Sequence, residues 1–362
     1  MQPSLNQQNE RNDTVLTPAF VVTAGAPRWT PPILDAALRL RLHDRMVKAR
    51  ATEEMLIRMM RTGHGYFWIG GPGEEAYGSA LGLLVHKGHG PAYDYLHLHY
   101  RSSAVVLAMG SEPIDILRQM RGTVTDPYSK GRNFVNHFAI KPWNIVPVTP
   151  TIETQYLMAP GTAHMQRRHG GIGCSIVTGG DAGSAEGDFY SAMNWSTRPG
   201  GELPVLMLIA QNHYGISTSA ETVQNTPNLH QRADGFRIRN ARVDGNDPIA
   251  SWHALVEALN YVRHERKPYV LQVNCSRLYG HSSSSGANRY DEPCCVALYE
   301  KRLISENLAT ETELKLVWDK WNALLSDALK VVITEPMPAQ EHVLQHVYHR
   351  GAAGNGPVEL NQ

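Results

Sequence analysis

The stretch CSIVTGGDAGSAEGDFYSAMNWSTRPGGELPVLMLIAQNHYGIST (residues 174–218) decides the fold. Its two short apolar runs, CSIVTGG (174–180) and PVLMLIA (204–210), do not alternate with polar residues. Each therefore reads as a strand buried on both faces. Between them SAEGDFYSAMNWS reads as a helix and RPGGE as a turn. A third run, PYVLQVNCS (268–276), follows the helix-like SWHALVEALNYVRHE. Strand and helix in alternation predict an α/β fold, a parallel sheet with helices on both faces.

Asp181 stands just past the first run and Asn212 just past the second, thirty-one residues apart. That separation is enough for one crossover helix. Parallel strands share a direction, so both side chains emerge at the carboxyl edge of the sheet, where open α/β folds bind ligands. Carboxylate and amide oxygens are hard ligands that suit Mg²⁺, which completes its octahedral shell with a phosphate ligand. Small residues at Gly179, Gly180, Ala182 and Gly183 let a diphosphate approach the backbone. A helix expected to begin near Ser184 would point its positive end at that anion.

Working outward, apolar residues recur at helical spacing from Leu34 to Arg61, and Thr62-Gly63 supplies the stop. The Gly-rich HGYFWIGGPGEEAYGSALGLL follows, with a helix expected from near Gly73. TETELKLVWDKWNALLSDALKVVITE reads as a long helix or a helical pair. Residues 1–30 read as an arm or tail, 31–346 as one domain, and 347–362 as a second tail.

The whole chain narrows the function classes. Its 362 residues carry 34 basic and 34 acidic side chains, and a zero formal charge argues against a nucleic-acid binder. No apolar stretch approaches a membrane span. The N-terminal MQPSLNQQNERNDTVL has neither a secretory core nor the Arg-rich character of a transit peptide, so a cytoplasmic protein is expected. Four cysteines without a CxxC pair fit a reducing compartment and no zinc site, and the adjacent Cys294 and Cys295 read as incidental. GGIGCS (170–175) precedes a strand where a dinucleotide fingerprint would follow one, and GxxxxGK[ST] is absent.

The segment from Gly179 to Thr218 resembles the thiamine diphosphate motif, GDG followed about thirty residues later by N. Its form is that of alpha subunits of 2-oxoacid dehydrogenases, GDGxxxEGxxxEAxN…ENNxYxIST. The resemblance implies the thiamine diphosphate-binding fold, with Asp181, the Asn212 side chain and the Tyr214 carbonyl as Mg²⁺ ligands. It implies cofactor contacts from Gly180, Ala182, Gly183, Ser184, Glu186, Gly215 and Ile216 as well. HYR (99–101) is similar to the family's YR, which places Tyr100 and Arg101 at the cofactor; a planar Arg suits diphosphate oxygens. GRNFVNH (131–137) resembles GRxMPxH and brings Phe134 and His137 near the cofactor. TPTIETQ (149–155) resembles SSPLATQ, giving Ile152 the supporting apolar position, with Thr149 and Pro150 competing for the serine position. Phe67, in GYFWIGG, falls where the family lines the substrate pocket, a role Tyr100 shares. RLYGHSSSSGANRY (277–290) resembles RYxGHSxSDxxxxYR, so His281 matches the active-site histidine. Because imidazole titrates near neutrality, His281 is expected to contact the diphosphate and stabilise charge during acyl transfer.

The chain also departs from the pattern. GDG has become GDA at Ala182, and the Glu or Arg two residues before the metal Asn is Ala210. Ser285 and Asp291 replace two residues that order the histidine loop in the family, which leaves open how that loop is held. The metal ligands are intact, which favours an active subunit over a degenerate structural one.

The resemblance implies an obligatory beta subunit, in a two-alpha, two-beta heterotetramer, and acyl transfer to a lipoyl-bearing acyltransferase component. GEEAYGSALG, RVDGNDPIA (242–250) and YGIST lean towards the branched-chain, 2-oxoisovalerate type; pyruvate and acetoin dehydrogenases are the alternatives.

Overall fold

The computed structural model describes residues 29–344. The expected tails at 1–30 and 347–362 lie almost wholly outside the described residues.

Five strands form a wholly parallel sheet in the order β1-β2-β3-β7-β6. They are β1 (Tyr95–His97), β2 (Ser175–Gly180), β3 (Val205–Gln211), β6 (Arg239–Asp244) and β7 (Tyr269–Asn274), while β4 (Tyr214–Gly215) and β5 (Thr218–Ser219) make a small hairpin. The three apolar runs are the three central strands. Every residue of β3 is buried, and its side chains divide between two cores as the pleat requires. Leu206, Leu208 and Ala210 join one core, whereas Val205, Met207 and Ile209 join the other.

Two helices close the smaller core, α5 (Thr154–Arg168) through Tyr156 and Ala159, and α6 (Gly187–Ser196) through Phe189 and Met193. The larger core is covered by α1 (Ala36–Arg61), α2 (Glu75–Leu84), α3 (Ser103–Ala108), α4 (Pro113–Arg121) and α8 (Pro248–Glu265). A single turn, α7 (Ala220–Val223), follows the hairpin, and α9 (Cys295–Ser305) and α10 (Glu311–Val332) complete the helices. The C-terminal pattern is one helix, opened by a capping box between Thr310 and Glu313. The helix after β2 starts at Gly187, later than the expected Ser184, because Gly183–Ala185 makes a short 3₁₀ turn first.

One buried acid on α1 ties the loops to this frame. The Glu53 carboxylate accepts from Trp68 Nε1 at 2.9 Å, Ser103 Oγ at 2.6 Å and Asn136 Nδ2 at 3.1 Å. Those three donors sit beside Phe67, Arg101 and His137. Burial raises the Glu53 carboxyl above its ordinary range, and the hydrogen bonds oppose the rise. Gly70 passes so close to this carboxylate that any side chain there would overlap it.

Candidate active site

β1, β2 and β3 all end at one edge, and the residues just past them face a cavity of about 520 Å³. Its strand-end wall is made of Gly180, Asp181, Ala182, Gly183, Glu186, Asn212, Tyr214, Gly215 and Ile216. The loop wall opposite is made of Phe67, Tyr100, Arg101, Phe134, His137, Ile152 and His281. Two expected residues lie outside it. Ser184 is fully buried behind the turn, its hydroxyl donating to the Asp181 carbonyl at 2.6 Å and accepting from Arg232 at 2.8 Å. Thr149 turns its hydroxyl to the Thr151 N–H at 3.1 Å, and Pro150 takes the place on the wall.

On the strand-end wall the β2–β3 register pairs Gly180 with Ala210, and the Asp181 N–H continues the ladder to the Ala210 carbonyl at 3.1 Å. Asp181 and Asn212 are therefore neighbours across adjacent strand ends. One Asp181 oxygen accepts from the Ala182 N–H at 2.7 Å, while the other, Oδ2, is buried without a partner among the described residues. Burial raises the Asp181 carboxyl, opposed by the Ala182 N–H and His213. Asn212 Oδ1 accepts from the Tyr214 N–H at 3.2 Å. His213 and Ile216 hold positive φ, 67° and 56°. A β-branched residue in the left-handed region carries strain of the order of 1–3 kcal/mol, which only a strongly determined surrounding sustains. Arg277 supplies part of it, donating to the Ile216 carbonyl at 2.6 Å and lying over the Tyr214 ring at 4.6 Å.

The GDA departure has a local explanation. Ala182 sits at φ −62°, ψ −43°, where a methyl is free of strain. That methyl would stand 2.6 Å from a Cβ at position 215, so the space belongs to Gly215.

The loop wall is aromatic and cationic. Phe67 and Phe134 pack at 5.5 Å between centroids, and Phe134 meets His137 edge-on at 5.7 Å. Tyr100 lies between imidazoles, 3.8 Å from the His99 ring and 6.1 Å from that of His137. Its hydroxyl and His281 Nε2 share a hydrogen bond of 3.1 Å. Arg101 donates to the carbonyls of Gly70 and His281, which leaves further N–H groups of its five for a ligand.

Burial, with the charges of Arg101 and Arg277, holds the His281 imidazole down at about 4. His281 is thus neutral at physiological pH, which corrects the expectation that it titrates near neutrality. Burial also lowers His137 and, more strongly, His99, so all three imidazoles of this wall are uncharged. The loop carrying His281 is tied to the frame at Ser283, upstream of the departures at Ser285 and Asp291. The Ser283 N–H donates to the Trp68 carbonyl at 2.8 Å, and Trp68 returns its own N–H to Ser283 Oγ at 3.3 Å.

Sequence reading missed Ile69, His99 and Glu153, which complete the cavity together with Pro150, one of the two candidates for the serine position. His99 and Glu153 lie inside stretches singled out for other positions, so adjacency was the only signal. Glu153 is fully buried with φ 70°, and one carboxylate oxygen accepts from the Gly180 N–H at 3.3 Å. Burial pushes its carboxyl up to about 8 against that N–H, and Glu186 and Asp181 add to the rise. Among the described residues no group of three or more His, Cys, Asp or Glu side chains could hold a metal. A cation beside Asp181 would draw further oxygens from amide, carbonyl and phosphate groups.

The family model for the dehydrogenase E1 component matches residues 43–341. The chain is 28% identical over 318 residues to the 2-oxoisovalerate dehydrogenase subunit alpha of Bacillus subtilis (strain 168), covering 85% of this chain and 94% of that one. It is 28% identical over 251 residues to a mitochondrial subunit alpha 2 of the same name from Arabidopsis thaliana, covering 69% of this chain and 52% of that one. It is also 26% identical over 284 residues to the pyruvate dehydrogenase E1 component subunit alpha of Rickettsia felis, covering 76% and 85%. The chain belongs to the dehydrogenase E1 component family, and membership implies thiamine diphosphate as cofactor and a beta subunit as partner.

Proposed function

We propose that this chain is the alpha subunit of a branched-chain 2-oxoacid dehydrogenase, and that its cavity holds the diphosphate of thiamine diphosphate through Mg²⁺. The observation that carries the reading is the unpartnered Asp181 Oδ2, set beside Asn212 at adjacent strand ends. A buried carboxylate oxygen without a donor is costly unless a cation meets it. The donor set fits the group: Asp181, Asn212 and the Tyr214 carbonyl are hard oxygens for Mg²⁺. A Cβ at Gly180 would meet nothing, so the backbone there is open to a phosphate.

When bound, thiamine diphosphate supplies the carbanion-stabilising chemistry that decarboxylation of a 2-oxoacid requires. The chain's own residues do the rest. Arg101 faces the diphosphate with its spare donors. Tyr100 and His281 hold one another, and a neutral His281 would be placed to offer a hydrogen bond to an acyl group destined for a lipoyl arm. Phe67 and Phe134 exclude water from the substrate end, and Ile152 supports the cofactor from the α5 side.

Ile216 and Phe134 at the cavity mouth are 60% and 54% exposed, and Trp195 on α6 is 50% exposed. Apolar surface of this kind favours a partner, here a beta subunit in a two-alpha, two-beta assembly. No described helix is long and apolar enough to cross a membrane. A cytoplasmic setting is part of the proposal. The branched-chain preference is supported by the relatives named 2-oxoisovalerate dehydrogenase, and the pyruvate-named relatives support pyruvate as the second substrate to test.

The test is decarboxylation by the purified alpha–beta pair with 2-oxoisovalerate and with pyruvate, read by an artificial electron acceptor. The pair should turn over, with the higher kcat/KM for 2-oxoisovalerate, and the alpha chain alone should be inactive. Robust turnover without a beta chain, or none with either substrate by the pair, would overturn the reading.

A further inference from the structure

Glu153 is the one acid on the cavity wall that neither the strand-end spacing nor the resemblance places there. SSPLATQ carries Ala where TPTIETQ has Glu153. The side chain is 0% exposed and lines the cavity. It fills a slot opened by two glycines: a Cβ at Gly179 or at Gly183 would overlap its carboxyl group. Its backbone keeps a φ of 70°, which a Glu seldom adopts. One of its oxygens holds the Gly180 N–H, and the other, Oε2, has no partner among the described residues.

Asp181 repeats this arrangement two residues further along the same turn, with one oxygen on the Ala182 N–H and the other unpartnered. The charged groups that act most on Glu153 are Glu186, Asp181 and Asp188, all acidic. His213 and Arg101 offset part of the charge on Asp181, but no positive group is among those that act most on Glu153, whose burial with an orphaned oxygen is therefore the costlier of the two.

We propose that Glu153 is a second carboxylate of the cation site, a positioning residue that braces the Gly180–Gly183 turn from behind and, ionised once a cation is bound, adds its charge to that of Asp181. The inference rests on the cation reading of this cavity and assigns a further residue to it. It gives the chain a more acidic cation pocket than the SSPLATQ pattern would, and hence a tighter hold on Mg²⁺.

The test is Mn²⁺ titration of the cation-stripped alpha–beta assembly in the presence of thiamine diphosphate, with free Mn²⁺ read from its electron paramagnetic resonance signal. Glu153→Gln keeps the shape and an oxygen for the Gly180 N–H, and removes only the charge. It should weaken Mn²⁺ binding by about tenfold, the lower end for a residue that supports a metal ligand. Glu153→Ala should weaken it at least as much, and Asp181→Asn should abolish it. Wild-type Mn²⁺ affinity in either Glu153 variant, with Asp181→Asn defective, overturns the role of Glu153 alone. Wild-type affinity in Asp181→Asn overturns the cation reading itself. Near-ultraviolet circular dichroism identifies a misfolded variant, and the other Glu153 variant then decides.

Discussion

The two walls of the cavity are built in different ways. The strand-end wall comes from two neighbouring strands, and the β2–β3 register brings the ends that carry Asp181 and Asn212 side by side on it. The loop wall draws Phe67, Tyr100, Arg101, His137 and His281 from separate segments, held by contacts that span the chain, such as Tyr100 to His281 and Asn136 to Glu53. The first wall is acidic and carries an orphaned oxygen; the second is cationic and aromatic, and its imidazoles are kept neutral. A site divided in this way separates holding from handling. On the proposed reading, the strand ends would hold the metal and diphosphate, and the loops would face the reacting end. Substitutions on the two walls should therefore fail differently.

The largest effect is expected on the strand-end wall. Asp181→Ala should remove Mg²⁺-dependent cofactor binding altogether and leave the fold intact, because Asp181 is a strand-end group outside both apolar cores. Fluorescence titration with thiamine diphosphate checks the first part and thermal melting the second. Unchanged Mg²⁺ dependence in the variant would show that the two walls do not divide the work as described.

On the loop wall, His281→Ala should spare cofactor binding and slow acyl transfer to a lipoyl domain. Loss of a group that stabilises developing charge costs about 2.7–4 kcal/mol in the barrier, roughly a hundred- to a thousand-fold in rate. Turnover with an artificial acceptor bypasses that transfer and should fall much less. The sign of the pH dependence follows from the depressed imidazole. With its value at about 4, His281 stays neutral through the physiological range, so it should add no inflection to the pH–rate profile there. An inflection near 6.5 that vanishes in His281→Ala would mean that a protonated imidazole acts, against the geometry.

The smallest effect is expected one step behind the loop wall. Glu53→Gln keeps the shape and turns one acceptor oxygen into a donor against Trp68, Ser103 or Asn136. A buried group left unsatisfied in this way costs about 1–3 kcal/mol of stability. A melting shift should accompany a raised KM for the 2-oxoacid, with Mn²⁺ affinity unchanged. Loss of cation affinity in this variant would blur the division between the walls.

The difference between the walls also explains what could be read from the sequence. Continuous apolar runs announce buried parallel strands, so β2, β3 and β7 and the pair that follows the first two were legible. The edge strands were not. Tyr95–His97 is only three residues long, and Arg239–Asp244 is polar and partly exposed, so neither carries the apolar signal. RVDGNDPIA caught the eye as a motif while its first residues were a strand. On the loop wall, residue positions were legible only through the resemblance, and their protonation was not legible at all. The value of about 4 at His281 comes from burial and from Arg101 and Arg277, which no local pattern announces. Glu53 and Glu153 stayed hidden for the same reason: a carboxylate in a helix or loop reads as solvated until the fold buries it.

The most direct test of the central claim, that Asp181 and Asn212 hold a diphosphate through a divalent cation, is calorimetric titration of thiamine diphosphate into the alpha–beta assembly. It is run once with Mg²⁺ present and once after chelation. The account predicts saturable binding with Mg²⁺, one cofactor per alpha chain, lost on chelation and restored when Mg²⁺ is returned. Equal affinity in both conditions would contradict it.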